Sequence, residues 1–561
     1  YADWVDYEAA GGAGKEELAE QLLTTLQLVE LDSDVYRIGL RRTIDPGAMA
    51  ELARDVMKAR AHLRERLAEQ SAADLVERFD KDRYNANATV AENILFGTPV
   101  GPTFAIETLG ENDYVLQVLD AVGLKDAFLD KGHRLAEMTV EIFHDLPAGH
   151  EFFERFSFIE SDDLPEFQTL LRRVEHAGLE SLNDDDRTRL MALPFKIISA
   201  RHQVDLVDDA FIEKILEARG VFAERLPEGS VGAVQLFDAV AYNAASSIQD
   251  NILFGKLATN KAGSAELVGE LIAEVIDELG LRRAVIEVGL DYEIGIGGMR
   301  LSAAQRQKIA IARCMLKQPD LLIVNDAVSA LDSASRASVF KNVRDAMKGR
   351  TLIWVGSEVA EDSEMSSVFS MAGGKIVAGG RVGGVEPAPA EAAGAEAQAP
   401  AETPAERASG FGAVVGMLGS IPLFSGMDRS KLKLLGFTSE RVSFEAGQTV
   451  FRQGEEGHKA YVVVEGAADV ILESAAGETR VAEVGANEIF GELALLCDTP
   501  RSATVRAKTP LTVLGISRDV FMTLLEENRA IAVQVTRAVA SRLESTLRDY
   551  GRVATMSQNH D

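Results

Sequence analysis

The sequence has 561 residues, enough for roughly three to five domains, and its 46% hydrophobic content is sufficient for buried cores. The formal net charge of −30 argues against a nucleic-acid partner, because a polyanion would be repelled. Cys314 and Cys497 show no metal-ligand spacing, which favours a reducing cytosolic compartment. The sequence contains no run of eighteen apolar residues, so it predicts no membrane span of its own. It starts at Tyr1 without a secretory signal, which indicates a truncated or processed product.

A glycine-rich segment near the start, AAGGAGKEE at 9–17, has the glycines and the lysine of a phosphate-binding loop. Glu16, however, occupies the position of the Ser or Thr that binds magnesium, and its negative charge would face a triphosphate. No apolar strand precedes the glycines either. We therefore interpret the segment as a flexible join and expect the real loop upstream of Tyr1 or on a partner chain.

An internal repeat occupies much of the first 255 residues. The first copy contains VMKARAHLRERL at 56–67 and FDKDRYNANATVAENILFG at 79–97; the second contains ILEARGVFAERL at 215–226 and FDAVAYNAASSIQDNILFG at 237–255. Amphipathic segments of one further type lie at 22–31, 115–124 and 272–281, and each is predicted to be a helix.

Residues 98–236 are interpreted as an insertion, rich in helical patterns such as 164–174 and 210–223. The polar run 183–186 is expected to cap a helix at its N-terminus. The histidines of the insertion have no zinc-site spacing with cysteine or carboxylate, so no metal site is predicted among His133, His144, His150, His176 and His202.

Residues 299–332 combine a polar turn, an amphipathic helix and a short apolar strand. Apolar residues recur along one helical face, at Ile309, Ile311, Ala312, Met315 and Leu316. The segment 321–324 predicts a buried strand, parallel and covered on both faces, and 351–355 predicts the next strand.

This order resembles the signature motif, Walker B strand and D-loop of ATP-binding-cassette (ABC) proteins of the exporter type, in which a segment like ENILFG also precedes the signature. The resemblance implies that the signature would complete an ATP site in trans, through Ser302, Ala303, Ala304 and Gln305. It implies a D-loop at Ser329, Ala330, Leu331 and Asp332.

The catalytic positions depart from the family pattern. Alanines 303 and 304 replace glycines that let the backbone approach a phosphate closely. Asn325 replaces the aspartate of the Mg²⁺ shell, and Asp326 is a shortened general base. Ser357 replaces the switch histidine and cannot carry its positive charge. The resemblance therefore implies a half-site that binds ATP and Mg²⁺ weakly and hydrolyses poorly.

The composition from 373 to 410 changes to Ala, Glu, Pro and Gly, which predicts a linker. Beyond it, alternating segments punctuated by glycines predict antiparallel strands closing into a barrel or jelly roll, at 449–451, 460–464, 468–472, 480–484, 503–507 and 511–516. Residues 520 to 550 predict a terminal helix.

The stretch FGELALLCDTPRSATV at 490–505 resembles the phosphate-binding cassette of cyclic-nucleotide-binding domains. The resemblance implies that Arg501 binds the cyclic phosphate together with the start of a short helix at Leu493 and Ala494, and that Glu492 accepts the ribose 2′-hydroxyl. Ser502 is compatible with both cAMP and cGMP. The full set of implied positions is Gly491, Glu492, Leu493, Ala494, Arg501, Ser502 and Ala503.

We thus expect an α/β plus all-β chain: duplicated helical-subdomain segments with an insertion (1–255), a partial ABC ATPase-like region (256–372), a linker (373–410) and a cyclic-nucleotide-binding barrel with flanking helices (411–561). The expected function is that of the cytoplasmic part of an ABC exporter-like transporter, regulated by cyclic nucleotide at the inner face of the plasma membrane. Its expected partners are an ABC transmembrane domain and a second nucleotide-binding domain, as a homodimer. The alternative is a non-catalytic sensing scaffold in which the ABC-like region only binds partners.

Overall fold

The computed structural model describes residues 7, 13–70, 72–144, 146, 150–202, 206–261, 264–356, 365–372, 375–380, 411–421, 424, 427, 429–474, 477–497 and 499–527. The chain divides into two compact units, one formed by residues 1–55, 247–249 and 276–392 and the other by residues 56–246, 250–275 and 393–561. Among the described residues, no helix combines the length and the apolar character needed to cross a membrane.

The region up to residue 290 contains the two copies of the repeat and the helices of the insertion between them. The first part contains α1 (Lys15–Leu28), α2 (Asp32–Leu40), α3 (Ala50–Glu69), β1 (Val76–Arg78), α4 (Val90–Leu95), β2 (Gly97–Pro99), α5 (Asp113–Ala121) and α6 (Lys125–Phe143). Then follow α7 (Glu151–Phe156), α8 (Leu164–Ala177), α9 (Asp184–Ala192), α10 (Asp209–Glu224), β3 (Val234–Leu236), α11 (Ile248–Leu253), β4 (Gly255–Leu257), α12 (Ser264–Glu278) and α13 (Arg282–Leu290). The helices predicted at 164–174 and 210–223 are confirmed as α8 and α10. The predicted cap is also confirmed, since Asn183 accepts a hydrogen bond from the Asp186 amide at 2.7 Å.

The two copies of the repeat exchange strands. β1 of the first copy pairs antiparallel with β4 of the second, and β2 of the first pairs antiparallel with β3 of the second. Phe79 stacks on Phe237, the residue at the same position of the other copy, with 3.9 Å between ring centroids and 9° between planes. Because equivalent residues meet each other there, this stack marks a pseudo-twofold axis between the copies.

Two arginines at equivalent positions of the repeat stabilise the pairing of the copies, and each binds a loop of the other copy. Arg219 on α10 donates to main-chain carbonyls and one amide oxygen of the first copy's 80–93 loop at 2.8–3.0 Å, and its guanidinium lies 4.6 Å from the centroid of Phe96. Arg60 on α3 donates in the same way to the 238–251 loop at 2.7–3.3 Å, with its guanidinium 4.4 Å from the centroid of Phe254. Burial lowers the pKa of each guanidinium to about 10.

In the first unit, helices α2 and α13 approach each other closely through one glycine on each helix. A Cβ at Gly39 on α2 would collide with the Val285 carbonyl on α13, and a Cβ at Gly289 on α13 would collide with the Val35 carbonyl on α2. Glycine is therefore required at both positions for these helices to approach.

The segment after α13 forms α14 (Ala303–Leu316), β5 (Leu321–Asn325), α15 (Ser333–Ala346), β6 (Thr351–Val355), β7 (Val368–Ala372) and β8 (Lys375–Gly380). β5 and β6 are parallel, as predicted. α15 packs against the pair where Phe340 meets Trp354 of β6, with 4.9 Å between ring centroids. Leu322 and Val324 of β5 are buried. The prediction that the strand is covered on both faces is wrong. Leu321 and Ile323 are 51% and 59% exposed on the other face, because among the described residues no layer packs there.

The C-terminal region forms α16 (Phe411–Ser420), α17 (Arg429–Thr438), β9 (Glu440–Phe444), β10 (Thr449–Phe451), β11 (Lys459–Glu465), β12 (Ala468–Ser474), β13 (Gly477–Val484), β14 (Ile489–Phe490), α18 (Glu492–Cys497), β15 (Thr504–Ala507), β16 (Leu511–Ser517) and α19 (Arg518–Glu527). Its strands make two antiparallel sheets, ordered β10–β15–β12–β13 and β14–β11–β16–β9. The chain is thus a mixed α/β protein with a helical N-terminal region and a C-terminal β-rich jelly roll, as expected. The six predicted strands are confirmed, whereas β9 and β14 were not predicted. The predicted terminal helix is described only as far as Glu527, and the linker lies largely outside the described residues.

Candidate functional site

The predicted signature begins helix α14 with a reciprocal cap. The Ser302 hydroxyl accepts a hydrogen bond from the Gln305 amide at 3.1 Å, and the Gln305 side chain accepts one from the Ser302 amide at 3.0 Å. Ser302 and Ala303 are exposed, and Ala304 and Gln305 are partly exposed. The four residues therefore lie together at an accessible helix start, as the resemblance implies.

The predicted D-loop is joined to α14 by Gln307, a residue that the sequence did not single out. Its side-chain amide donates to the Ser329 hydroxyl at 3.0 Å and accepts from the Ala330 amide at 2.9 Å. Leu331 is buried. Asp332 caps α15, accepting from the Ser335 amide at 2.9 Å, and this hydrogen bond lowers the pKa of its carboxyl group.

Asn325 and Asp326 lie at the end of β5, where both are exposed. Asp326 adopts a φ of 50°, and its amide donates to the Val355 carbonyl of β6 at 2.9 Å. Ser357 and residues 9–12 of the glycine-rich segment lie outside the described residues. In the described part of the chain, no group of three His, Cys, Asp or Glu side chains is placed to hold a metal ion. An amide and one short carboxylate are a poor donor set for Mg²⁺, which prefers carboxylates.

A buried guanidinium forms the centre of the second site, in the C-terminal jelly roll. Arg501 is only 5% exposed, and it donates from Nη1 to the Gly491 carbonyl and from Nη2 to the Lys459 carbonyl, each at 2.7 Å. The guanidinium carbon lies 4.0 Å from the centroid of the Phe451 ring. Nε is buried without a hydrogen-bond partner. Burial lowers the pKa of the Arg501 guanidinium, which marks the cost of holding a cation there.

The residues of the predicted cassette gather around this guanidinium. Glu492, the first residue of α18, is 4% exposed and interacts electrostatically with Arg501. Gly491 has a φ of 77°, and a Cβ there would lie 2.7 Å from Arg501 Nη1. Ala494 is buried, whereas Leu493 and Ala503 are partly exposed and Ser502 is exposed.

Sequence reasoning missed two supports of this site. A Cβ at Gly457 would lie 2.5 Å from Ala494 Cβ and 3.1 Å from Arg501 Cζ, so only glycine fits there. The buried Thr504 hydroxyl accepts from the Gln453 amide at 2.8 Å and donates to Glu473 at 2.5 Å. Glycine and threonine of this kind carry no pattern that distinguishes them from ordinary turn and strand residues.

Comparison with known proteins separates the two parts of the chain. Residues 441–528 match the family model of the cyclic nucleotide-binding domain. A stretch of 145 residues, 26% of this chain, is 36% identical to 23% of the heterocyst differentiation ATP-binding protein HepA of Nostoc sp.. A stretch of 131 residues is 34% identical to 21% of YheI of Bacillus subtilis, described as a probable multidrug resistance ABC transporter ATP-binding/permease protein.

The chain thus spans less than a quarter of the length of these relatives. Among solved structures, the chain is similar to the regulatory domain of Toxoplasma gondii PKA with cAMP, at 27% identity and a TM-score of 0.22 over 23% of this chain and 49% of that one. It is also similar to a cyclic nucleotide-binding-like protein from Brucella abortus, at 33% identity and a TM-score of 0.19 over 20% of this chain and 98% of that one. The chain therefore combines similarity to the ATP-binding part of ABC exporters with a cyclic nucleotide-binding domain.

Proposed function

We propose that this chain is the cytoplasmic ATP-binding part of an ABC exporter-like transporter whose activity is regulated by cAMP or cGMP bound in the C-terminal jelly roll. The observation that carries the sensor assignment is the buried Arg501, whose Nε has no partner while Glu492 is buried beside it. An unpaired buried donor is costly, and the phosphate of a cyclic nucleotide would supply the missing acceptor.

The residues of the jelly roll divide the work of binding between phosphate and ribose. Arg501 would hold the cyclic phosphate, assisted by main-chain amides at Leu493 and Ala494. Glu492 would accept the ribose 2′-hydroxyl, and Gly491 leaves room for the sugar. Ser502, exposed next to Arg501, is compatible with a purine of either kind, so both cAMP and cGMP are candidates.

The ABC-like region would act with a second nucleotide-binding domain, as a homodimer, and with an ABC transmembrane domain at the inner face of the plasma membrane. Ser302 and Gln305 are accessible at the start of α14 and would complete an ATP site in trans. Asn325 and Asp326 would support hydrolysis poorly at this half-site. The apolar, exposed face of β5 and β6 supports the involvement of further polypeptide, because parallel sheets are normally covered on both faces.

A second candidate is a non-catalytic scaffold that senses cyclic nucleotide and uses the ABC-like region only to bind partners. The neutral Asn325, in place of a carboxylate that would bind Mg²⁺, favours it. ATP turnover by the natural assembly, measured with its transmembrane part, distinguishes the two: turnover that responds to cyclic nucleotide supports the transporter, and none supports the scaffold.

Calorimetric titration of the full chain with cAMP and with cGMP tests the sensor. We expect saturable binding of at least one ligand, abolished by Arg501→Ala. The matched control is Arg506→Ala. Arg506 lies on β15, the strand that follows Arg501, but its guanidinium is paired with the Glu478 carboxylate at 2.9 and 3.0 Å. The absence of heat with both ligands, or unchanged binding by Arg501→Ala, refutes the assignment.

A further inference from the structure

Helix α17, which precedes the jelly roll, packs on the insertion formed by residues 98–236. Phe437 of α17 meets Phe143 and Phe158 edge-on, with 6.1 and 6.0 Å between ring centroids. It also lies nearly parallel to the ring of His202, at 6.5 Å and 10°. His202 in turn contacts Phe158 at 4.8 Å, so the four rings form one aromatic cluster with members from both segments.

Two polar contacts fix the jelly roll on either side of this cluster. Lys433, one turn before Phe437 on α17, pairs with Glu141 on α6 of the insertion. On the other side, the amide of Ser443 in β9 donates to the Asn260 carbonyl, just after β4 of the second repeat copy, at 3.1 Å. The connection from α17 to β9 is thus held at both ends.

The aromatic cluster is continuous with the core behind the candidate nucleotide site. Phe143 and Phe158 belong to the same apolar core as Leu495 of α18 and Val520 and Phe521 of α19, and all five side chains are buried. Phe437 packs against this core. Because side chains in a close-packed core have few alternative positions, a shift of α18 must be accommodated by its neighbours.

We propose that the insertion is the element on which the cyclic-nucleotide sensor acts, through the contact of Phe437 and Lys433 with Phe143, Phe158, His202 and Glu141. This inference rests on the proposed function, namely that the Arg501 site binds a cyclic nucleotide. Binding and docking are coupled in both directions, since coupling free energies are reciprocal. The docked insertion restricts α18 through the apolar core that both share, so loosening the contact weakens ligand binding.

The single changes of the test lie in the insertion, and calorimetry measures the affinity of the full chain for cAMP or cGMP, whichever the wild type binds. Phe158→Ala and Glu141→Lys should each raise the Kd about three- to tenfold, although neither residue belongs to the jelly roll. The double change Glu141→Lys with Lys433→Glu should restore the wild-type Kd. Restoration excludes a general loss of folding as the cause.

Matched controls separate the contact from general damage to the insertion. Phe104→Ala removes a buried ring of the same core whose ring contacts are with Phe222 and Tyr114 and not with Phe437. Glu137→Lys changes the same charge one turn earlier on α6, where Glu137 faces His133. Both controls should keep the wild-type Kd.

Two failures are distinguishable. If the wild type binds and Phe158→Ala and Glu141→Lys bind as tightly as the controls, the coupling is refuted and the sensor assignment stands. If the wild type gives no heat with either nucleotide, the proposed function fails and the coupling falls with it.

Discussion

Arg60 and Arg219 make equivalent contacts, since the guanidinium of each donates hydrogen bonds to the loop of the other copy of the repeat. Both stack over a phenylalanine at the same position of the NILFG segment, Phe254 and Phe96. The duplication is therefore a reciprocal assembly, in which neither copy satisfies its own loop.

This reciprocity predicts that Arg60→Ala and Arg219→Ala destabilise the protein by similar amounts. Each change leaves several carbonyls without a donor, and we expect a loss of roughly 3 kcal/mol in the free energy of unfolding. Urea denaturation followed by far-UV circular dichroism measures it. Arg64→Ala, an exposed arginine on the same helix, should cost less than about 0.5 kcal/mol. A loss for Arg60→Ala or Arg219→Ala no larger than that of the control contradicts the interpretation.

His202 predicts a loss of stability in mild acid. Burial lowers its pKa from 6.5 to about 4, and its Nδ1 accepts a hydrogen bond from the Ile198 amide at 3.0 Å, which requires a neutral ring. Between pH 6.5 and 4 the unfolded chain binds a proton that the folded chain does not. Stability is therefore fully present above pH 6.5 and falls as the pH approaches 4, by roughly 3 kcal/mol at about 1.4 kcal/mol per pH unit.

Denaturation series from pH 7.5 to 4.5 check this dependence. His202→Gln retains an acceptor without the titration and should flatten the acid limb relative to the wild type. His176→Gln, at an exposed position on α8, should keep the wild-type slope. Identical acid limbs for the wild type and His202→Gln would show that the folded imidazole titrates normally.

Gly491 predicts a steric effect on nucleotide binding. Alanine there would place a Cβ 2.7 Å from Arg501 Nη1, in a backbone with a φ of 77°. We expect Gly491→Ala to weaken cAMP or cGMP binding more than about tenfold and to destabilise by about 1–2 kcal/mol. Gly477→Ala has a φ of 115° but open space around the new Cβ, so it tests backbone strain alone and should leave the Kd unchanged. Equal Kd values for the two variants would remove the steric argument.

Asn325 and Asp326 predict a gain of function. In the proposed assembly with a transmembrane domain, the double change Asn325→Asp with Asp326→Glu should raise ATP turnover at least about tenfold, because it supplies a charged Mg²⁺ ligand and a longer general base. The single change Asp320→Glu, just before β5 and outside the predicted motif, serves as the control. Rapid turnover by the unmodified protein contradicts the view that this half-site is impaired.

Local features of the fold could be predicted wherever a residue pattern determines the local structure. The cap of α9 at Asn183 and the alternation along β11 and β16 are of this kind. The pairing of copies could not, because the repeat at 79–97 and 237–255 is equally compatible with each copy folding on itself. The exposed face of β5 could not be predicted either. Leu321 and Ile323 have the apolar character of core residues, and the sequence does not show which layers surround them.

The candidate nucleotide site shows the same division. Arg501 and Glu492 were predicted from the cassette, whereas Gly457 and Thr504 support them from segments distant in sequence. Their roles depend on which strands become neighbours, and that is decided by packing across the whole jelly roll.

The exchange of β1 and β3 between the copies has a consequence for a chain that contains only one of them. A chain with a single copy would leave its loop without an arginine and its strand without a neighbour, and only a second molecule could provide both. Either copy alone would therefore have to pair with a second molecule, as a strand-exchanged homodimer, to form the same contacts. Removing either half would expose the strand edge and the loop that the other half covers, and would not leave a smaller folded protein.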